Sequence, residues 1–101
     1  MANYQLTDEA RQDLVDIRRF TMQNWGDAQS KIYLRRLQET LRTLAEMPTL
    51  GKSRALDVAE GVLSFPYVSH MVYYQPGQKG IIILAVLHQS RVPATHLATR
   101  L

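Results

Sequence analysis

The chain has 101 residues, no cysteine, 12 basic and 9 acidic side chains, and a formal net charge of +3. This length is typical of one domain with a single hydrophobic core, spanning residues 1–101. The lack of cysteine excludes a disulfide framework and thiolate metal sites, and it favours a reducing cytoplasm as the location. The start, MANYQLTDEA, lacks the basic and apolar segments of a secretory signal.

The positive charge is concentrated in the C-terminal part of the chain. Residues 1–61 hold nine basic and nine acidic side chains, whereas residues 62–101 hold Lys79, Arg91 and Arg100 and no acid. Such a distribution favours an anionic partner, either an acidic protein segment or nucleic acid. The alternative is that a short, largely buried sheet has little room for charged side chains.

The N-terminal half predicts one short strand followed by two helices. Residues 4–6 form the strand, and Thr7 caps a helix over residues 8–24 whose apolar side chains recur at helical spacing. Gly26 ends that helix, and Asp27 caps a second one that carries a leucine stripe and stops before Pro48. Because this connection is so short, we expect the two helices to be antiparallel neighbours.

The C-terminal half has the periodicity of strands. After a loop over residues 49–61, a strand over residues 62–65 is expected to stop at Pro66, and residues 68–74 alternate between two faces. Turn residues at 75–80 predict a hairpin into residues 81–88, IIILAVLH, whose continuous apolar run is typical of a strand buried on both faces. Pro93 opens a short last helix over residues 94–100.

These elements predict an α+β fold. It consists of an N-terminal strand, an antiparallel helical hairpin packed on a small, mainly antiparallel sheet, and a short C-terminal helix. In this arrangement the second face of the sheet has only the short last helix to cover it. We therefore expect a partner to complete that surface.

Three histidines and two arginines are the candidate functional residues. His70 and His88 lie on strands expected to be neighbours, and paired imidazoles can serve as general acid and base in phosphodiester cleavage. A structural role is the alternative for both, because a pair alone lacks the other parts of a site. A metal site made with His96 lacks supporting ligand spacing, so we expect no metal. Arg91, His96 and Arg100 form a basic cluster for which residues 62–101 supply no competing acid.

Four segments together resemble the ParE branch of the RelE/ParE toxin superfamily: YQLTDEARQDLVDIRRFTMQNWGDAQ, LAEMPTLGKS, EGVLSFPYVSHMVYY and IIILAVLHQSR. The resemblance covers nearly the whole chain. It implies a bacterial type II toxin that inhibits DNA gyrase by binding, without a cofactor. It also implies neutralisation by a ParD-like antitoxin in a hetero-oligomeric complex, with no membrane association and no sequence-specific DNA binding by this chain alone.

The resemblance and the charge pattern together give the expected contact residues. Target contact is expected at His88, Gln89, Arg91, His96 and Arg100. Antitoxin contact is expected on the apolar sheet face and strand edge at Met71 and Tyr73, with Arg35 and Arg42 of the second helix.

Two alternatives remain open on the sequence. The sister branch, RelE, implies a ribosome-dependent mRNA endonuclease, here with His70 and His88 as catalytic residues. The predicted sheet is poor in cations, since Leu63 stands where related toxins often carry arginine, and cations are needed to stabilise charge on a phosphate in the transition state. Arg91 and Val92 depart from the residues common after the central strand of ParE proteins. Arg91, together with the departure at Leu63, leaves a non-toxic antitoxin-binding relative as the third reading.

Overall fold

The computed structural model describes residues 3–101, and its elements follow the predicted order. They are β1 (Asn3–Leu6), α1 (Asp8–Trp25), α2 (Asp27–Glu46), a 3-10 turn (Pro48–Leu50), β2 (Lys52–Ser53), β3 (Leu63–Tyr67), β4 (His70–Gly77), β5 (Gly80–His88) and α3 (Pro93–Leu97). The 3-10 turn and β2 lie within the segment that the sequence predicts as loop.

The helical hairpin forms for the local reasons that the sequence indicates. The Thr7 hydroxyl accepts a hydrogen bond from the Ala10 amide at 3.0 Å and so caps α1. Gly26, with a φ of 88°, ends α1 and lets α2 begin at the next residue. Between the helices, the buried hydroxyls of Thr21 and Ser30 lie 2.7 Å apart and satisfy each other.

The sheet has the strand order β1-β5-β4-β3-β2. β1 pairs with β5 in parallel, and all other pairs in this sheet are antiparallel. β5 therefore lies between β1 and β4, as expected for its apolar run. Tyr73 faces Ala85 and Tyr74 faces Ile83, so Leu84 is the extra residue of a β-bulge in β5.

The two faces of the sheet belong to two apolar cores. The helices cover the first face, where the buried residues include Leu44, Tyr74 and Ile83. The second face is covered by Leu97 and also by Val62, with Val58 and Ala59 of the preceding loop packed beside it. The prediction that only the last helix covers this face is wrong, because residues 58–62 fold back onto it.

Several predicted boundaries also differ from the structure. β4 runs from His70 to Gly77 rather than over residues 68–74, so the hairpin turn is residues 78–79 and not residues 75–80. β3 continues through Pro66, which is paired with Met71 of β4. Proline is tolerated there because β2 pairs only with Leu63 and Ser64, so the other edge of β3 carries no ladder at Pro66. The last helix ends at Leu97 rather than at residue 100, and Arg100 follows it in a turn.

Candidate functional site

A cleft of about 750 Å³ lies where the end of β5 meets α1 and the C-terminal segment. We call it the C-terminal cleft. Its lining residues are Asp13, Asp16, Ile17, Phe20, His70, Val86, Leu87, His88, Ser90, Arg91, His96 and Arg100. Four of the five residues predicted for target contact are among them, with both histidines predicted as alternative catalysts. Gln89 does not line the cleft.

The histidine pair arises from the register of the β4–β5 hairpin. His70 and His88 are directly opposite each other, and their ring centroids are 5.6 Å apart in an edge-to-face arrangement. This confirms that the two strands bring the histidines together. The two rings differ in environment, because the side chain of His70 is buried and that of His88 is exposed.

Each histidine is already engaged through Nδ1. The Tyr33 hydroxyl lies 2.6 Å from Nδ1 of His70, in a hydrogen bond between buried side chains. The Ser90 amide donates to Nδ1 of His88 at 3.1 Å. An amide N–H can only donate, so Nδ1 of His88 is the acceptor and its ring proton lies on Nε2. Only the Nε2 edge of His88 is therefore open to a ligand.

Burial lowers the pKa of His70 below its ordinary value of 6.5, and the neighbouring His88 lowers it further. Unfolded His70 takes up a proton near its ordinary pKa, whereas folded His70 does so only at lower pH. Between these two pKa values the unfolded state binds more protons than the folded state. The free energy of unfolding should therefore fall as pH drops below about 6.5, whereas His70 makes it no more pH-dependent above that value.

Denaturant unfolding of wild type and of His70→Gln, measured from about pH 8 to about pH 5, checks this expectation. The wild type should lose stability faster than the variant over the lower part of the range. His96→Gln, which changes a histidine that does not act on the pKa of His70, is the matched control. Parallel pH profiles for wild type and His70→Gln would contradict the expectation.

Arg100 is placed differently from the prediction. Its Nη1 donates to Asp13 Oδ2 at 2.7 Å and to the Leu84 carbonyl at 3.1 Å, and its Nη2 donates to Asp13 Oδ1 at 3.1 Å. The expectation that no acid competes for this arginine is wrong, because the acid comes from α1. This hydrogen bonding to Asp13 also raises the pKa of Arg100.

The α1 side of the cleft was not predicted from the sequence. Asp13, Asp16, Ile17 and Phe20 line it, and they recur at helical spacing on one side of α1. Asp13 carried a usable signal, since an acid among the apolar positions of an amphipathic helix must find a partner when it is buried. Nothing in the sequence indicated that the partner would be Arg100.

A second concave surface lies on the other side of α1, between α1, α2 and β1. We call it the α1–α2 groove, and its volume is about 370 Å³. It is lined by Tyr4, Leu6, Arg11, Leu14, Val15, Arg18, Leu34, Leu37, Gln38 and Leu41. Its lining is mainly apolar, and two arginines of α1 contribute the positive charge.

The residues predicted for antitoxin contact are not gathered in one place. Tyr73 is only 3% exposed and belongs to the second core, with the Arg54 guanidinium 5.4 Å from its ring centre. Met71 is partly buried on the same strand, and β4 is not a strand edge, because β3 and β5 flank it. Arg35 and Arg42 are exposed on α2, each next in sequence to a leucine of the α1–α2 groove.

Two further properties hold for the described part of the chain. No helix within residues 3–101 is both long and apolar enough to cross a membrane. The same residues contain no group of three or more histidine, aspartate or glutamate side chains arranged to hold a metal ion.

Comparison with known proteins gives a family for this fold and cleft. A family model described as the ParE toxin of the type II toxin–antitoxin system parDE matches residues 4–93. The chain belongs to the ParE toxin family. It is therefore a type II toxin, and the family expected from the sequence segments is confirmed. The match ends at the first residue of α3, so Arg100 lies beyond it.

Relatives of this ParE-family toxin match over nearly their whole length. Toxin ParE1 of Caulobacter vibrioides is 36% identical over 97 residues, covering 96% of this chain and 99% of that protein. Toxin ParE of Escherichia coli is 33% identical over 109 residues, covering 100% of this chain and 98% of that protein. A solved structure titled as the chromosomal ParDE TA system from P. aeruginosa shares the fold, with a TM-score of 0.74 at 20% identity, over 87% of this chain and 96% of that one.

Proposed function

We propose that this toxin binds DNA gyrase through the C-terminal cleft, acts in the cytoplasm, and is neutralised there by a ParD-like antitoxin in a hetero-oligomeric complex. The observation that carries the proposal is the cleft itself. It gathers His88, Arg91 and His96 on one surface beside the apolar Phe20. Exposed arginine and aromatic side chains around a concavity are typical of protein interfaces.

The geometry of the histidines favours binding over catalysis. A phosphodiester-cleaving pair needs two groups that can both exchange protons with the substrate. His70 is only 8% exposed, and its Nδ1 is held by Tyr33. The guanidinium of Arg100, which could stabilise a phosphate, is directed to Asp13. These contacts leave Arg91 and the Nε2 edge of His88 for a partner.

The α1–α2 groove has the chemistry expected of an antitoxin-binding surface. Leu14, Leu34 and Val15 contribute partly exposed apolar surface, and Arg11 and Arg18 flank Val15 on α1. Such a groove fits an amphipathic segment that places its apolar side chains inside and its acidic ones against the arginines. It therefore replaces the surface around Tyr73 as the proposed antitoxin site, with Arg35 and Arg42 extending it along α2.

The groove and the cleft share α1 as a common wall. Leu14, Val15 and Arg18 face the groove, whereas Asp13, Asp16 and Phe20 face the cleft. An antitoxin in the groove thus lies within one helix diameter of the target site, about 10 Å. A tail that continued past α1 would reach the cleft and exclude the target from it.

A side-by-side assay of the purified chain tests the proposed target. One reaction holds gyrase, ATP and relaxed plasmid, and the other holds a translating ribosome extract with a labelled message. Linearised plasmid or lost supercoiling with an intact message supports gyrase as the target. A cleaved message with normal supercoiling overturns it, and activity in neither reaction would favour a relative that only binds its antitoxin.

Replacing Arg91 with glutamate should weaken gyrase inhibition by about tenfold or more. The expected partner surface is anionic, and a glutamate in place of Arg91 would repel it. Arg91 is exposed in the cleft, so the fold should be unaffected. The measurement is the toxin concentration that halves supercoiling. Lys79→Glu makes the same charge reversal in the turn at the other end of β5 and should leave inhibition unchanged. Equal inhibition by both variants would remove Arg91 from the target surface.

Val15→Glu should weaken antitoxin binding by about tenfold or more, since it places a charge in an apolar groove opposite an acidic partner. The helix should tolerate it, because Arg11 and Arg18 are at i−4 and i+3. Calorimetric titration with the antitoxin measures the effect, and Leu56→Glu, at a fully exposed position outside the groove, is the control. Unchanged affinity for Val15→Glu would place the antitoxin elsewhere.

A nuclease remains the second candidate because of one observation, the contact between the rings of His70 and His88 at the cleft. Its prediction is cleavage of message in the ribosome reaction, and in that case His88 is the residue that can exchange a proton with substrate through Nε2.

A further inference from the structure

The last segment of the chain, residues 89–101, supplies Arg91 and His96 to the C-terminal cleft. It starts beside the β3–β4 turn, where the Gln89 amide donates to the Ser69 carbonyl at 2.8 Å, and it is attached to the body of the protein at two further points. Leu97 is fully buried in the second core, and three residues later Arg100 pairs with Asp13 of α1. The Arg91 amide donates to the His88 carbonyl at 2.9 Å, and its side chain forms no ion pair within residues 3–101. The direction of this side chain therefore depends on the turn after β5 and on where the rest of the segment is held.

The pair of Asp13 and Arg100 also completes the edge of β5. β1 pairs with β5 only as far as Ile83, so beyond this point the edge faces α1. There the Leu84 carbonyl accepts from Arg100 Nη1 at 3.1 Å, and the Val86 amide donates to Asp13 Oδ2 at 3.0 Å. One carboxylate and one guanidinium therefore join α1, β5 and the C-terminal segment.

The geometry of this pair suits a fixed attachment. The guanidinium and the carboxylate meet through two hydrogen bonds, and this planar arrangement fixes orientation as well as distance. The side chains of Arg100 and Asp13 are only 16% and 10% exposed, so water and salt screen the pair weakly. A solvent-exposed pair, such as Lys31 with Asp27 on α2, offers no comparable constraint.

We infer that Asp13 and Arg100 are positioning residues of the toxin, whose pair holds the C-terminal segment so that Arg91 and His96 face the target. Arg100 then acts without touching the target. The inference rests on the proposed function, because it takes the C-terminal cleft as the gyrase-binding site. It assigns to Asp13, which lies outside the C-terminal segment, a role in target binding.

The variant Asp13→Asn distinguishes a positioning role of Arg100 from direct contact between Arg100 and the target. If Arg100 bound the target through its charge, Asp13→Asn would release the guanidinium, and inhibition of gyrase would be unchanged or stronger. If the pair positions the segment, Asp13→Asn and Arg100→Gln should each weaken inhibition by about tenfold or more, as expected when binding groups are displaced by about 1 Å. The double variant should be no weaker than either single one, since both remove the same interaction.

The experiment combines gyrase inhibition with hydrogen exchange of the backbone amides. Wild type, Asp13→Asn, Arg100→Gln and the double variant are compared, with Lys31→Gln as the matched loss of an exposed ion pair. Asp13→Asn retains an amide oxygen that can accept from Val86, which favours folding of that variant. We expect the backbone amides of residues 92–101, other than Pro93, to exchange about tenfold faster in the three variants that break the pair of Asp13 and Arg100. The exchange rates of helix α2 should be unchanged. Arg100→Lys, which keeps the charge, should recover part of the inhibition.

Each other outcome overturns part of the inference. Unchanged exchange in Asp13→Asn would show that the pair does not hold the segment. Faster exchange with full inhibition would show that the segment's position does not matter for the target. Arg91→Glu in the same assay separates a failure of the positioning role from a failure of the proposed function. If this variant inhibits gyrase like wild type, the cleft is not the gyrase site, and the positioning role falls with it. The exchange rates still decide whether the pair of Asp13 and Arg100 holds the segment.

Discussion

Leu44→Ala should lower the free energy of unfolding by about 3 kcal/mol, because it removes a fully buried side chain from a core that can collapse only partly around the cavity. Leu44 is 0% exposed on α2 and belongs to the core between the helices and the sheet. For a domain of this size, such a loss corresponds to a fall in melting temperature of about 12 to 24 °C.

Leu56→Ala is the matched control for Leu44→Ala. It removes the same atoms from a side chain that is fully exposed in the loop before β3, so the free energy of unfolding should change by less than about 0.5 kcal/mol. Both measurements must be made without antitoxin, since a ligand that binds only the folded toxin adds to its apparent stability. A similar, small loss for both variants would contradict the burial of Leu44 in the core between the helices and the sheet.

The elements that depend on local sequence were predictable. The cap at Thr7, the break at Gly26 and the helical spacing of the leucines lie within the segments that they organise. The β4–β5 hairpin is also local, and its register brings His70 opposite His88. The sequence placed the two histidines on neighbouring strands, so their approach was predictable. Their direct pairing depends on the short turn at residues 78–79 and on the bulge at Leu84, which the sequence did not predict.

The contacts that depend on distant segments were missed. The parallel pairing of Asn3 with Gly80 joins the N-terminal strand to a strand that comes after both long helices, and no short motif indicates it. The pair of Asp13 and Arg100 is separated by 87 positions. Counting charges in two halves of the chain left Arg100 without an acid, because that count ignores contacts between the halves. The folded surface therefore carries less unpaired positive charge than the sequence indicates.

The expectation that Tyr73 lies exposed at a strand edge is wrong for a different reason. The strand pattern correctly places Tyr73 and Tyr74 on opposite faces of the sheet. What the pattern cannot indicate is that an irregular loop covers the second face. Arg54 and Val58 belong to that loop, and they come from a stretch without any periodic spacing. The surface for a partner was thus sought on the sheet, whereas the apolar α1–α2 groove is formed by the two helices and β1.

Gly80→Ala should destabilise the toxin by about 3 kcal/mol or more, because two separate costs fall on one residue. Gly80 has a φ of +132°, which side chains rarely adopt. A Cβ at this position would also overlap the Asn3 backbone, with which Gly80 pairs in the parallel ladder between β1 and β5. Since β1 forms one side of the α1–α2 groove, we expect antitoxin affinity to fall together with stability.

Two other glycines separate these costs. Gly61 has a φ of +87° and open space around it, so Gly61→Ala measures the backbone strain alone, about 1 to 2 kcal/mol. At Gly77 a Cβ would approach the Ile82 side chain at 3.2 Å and the Gly80 carbonyl oxygen at an ordinary contact distance of 3.6 Å, and the backbone needs no unusual φ. Gly77→Ala should therefore cost less than about 1 kcal/mol. If Gly80→Ala unfolds no more easily than Gly61→Ala, the close approach of β1 to β5 is not a constraint, and β1 can move away without loss of the fold.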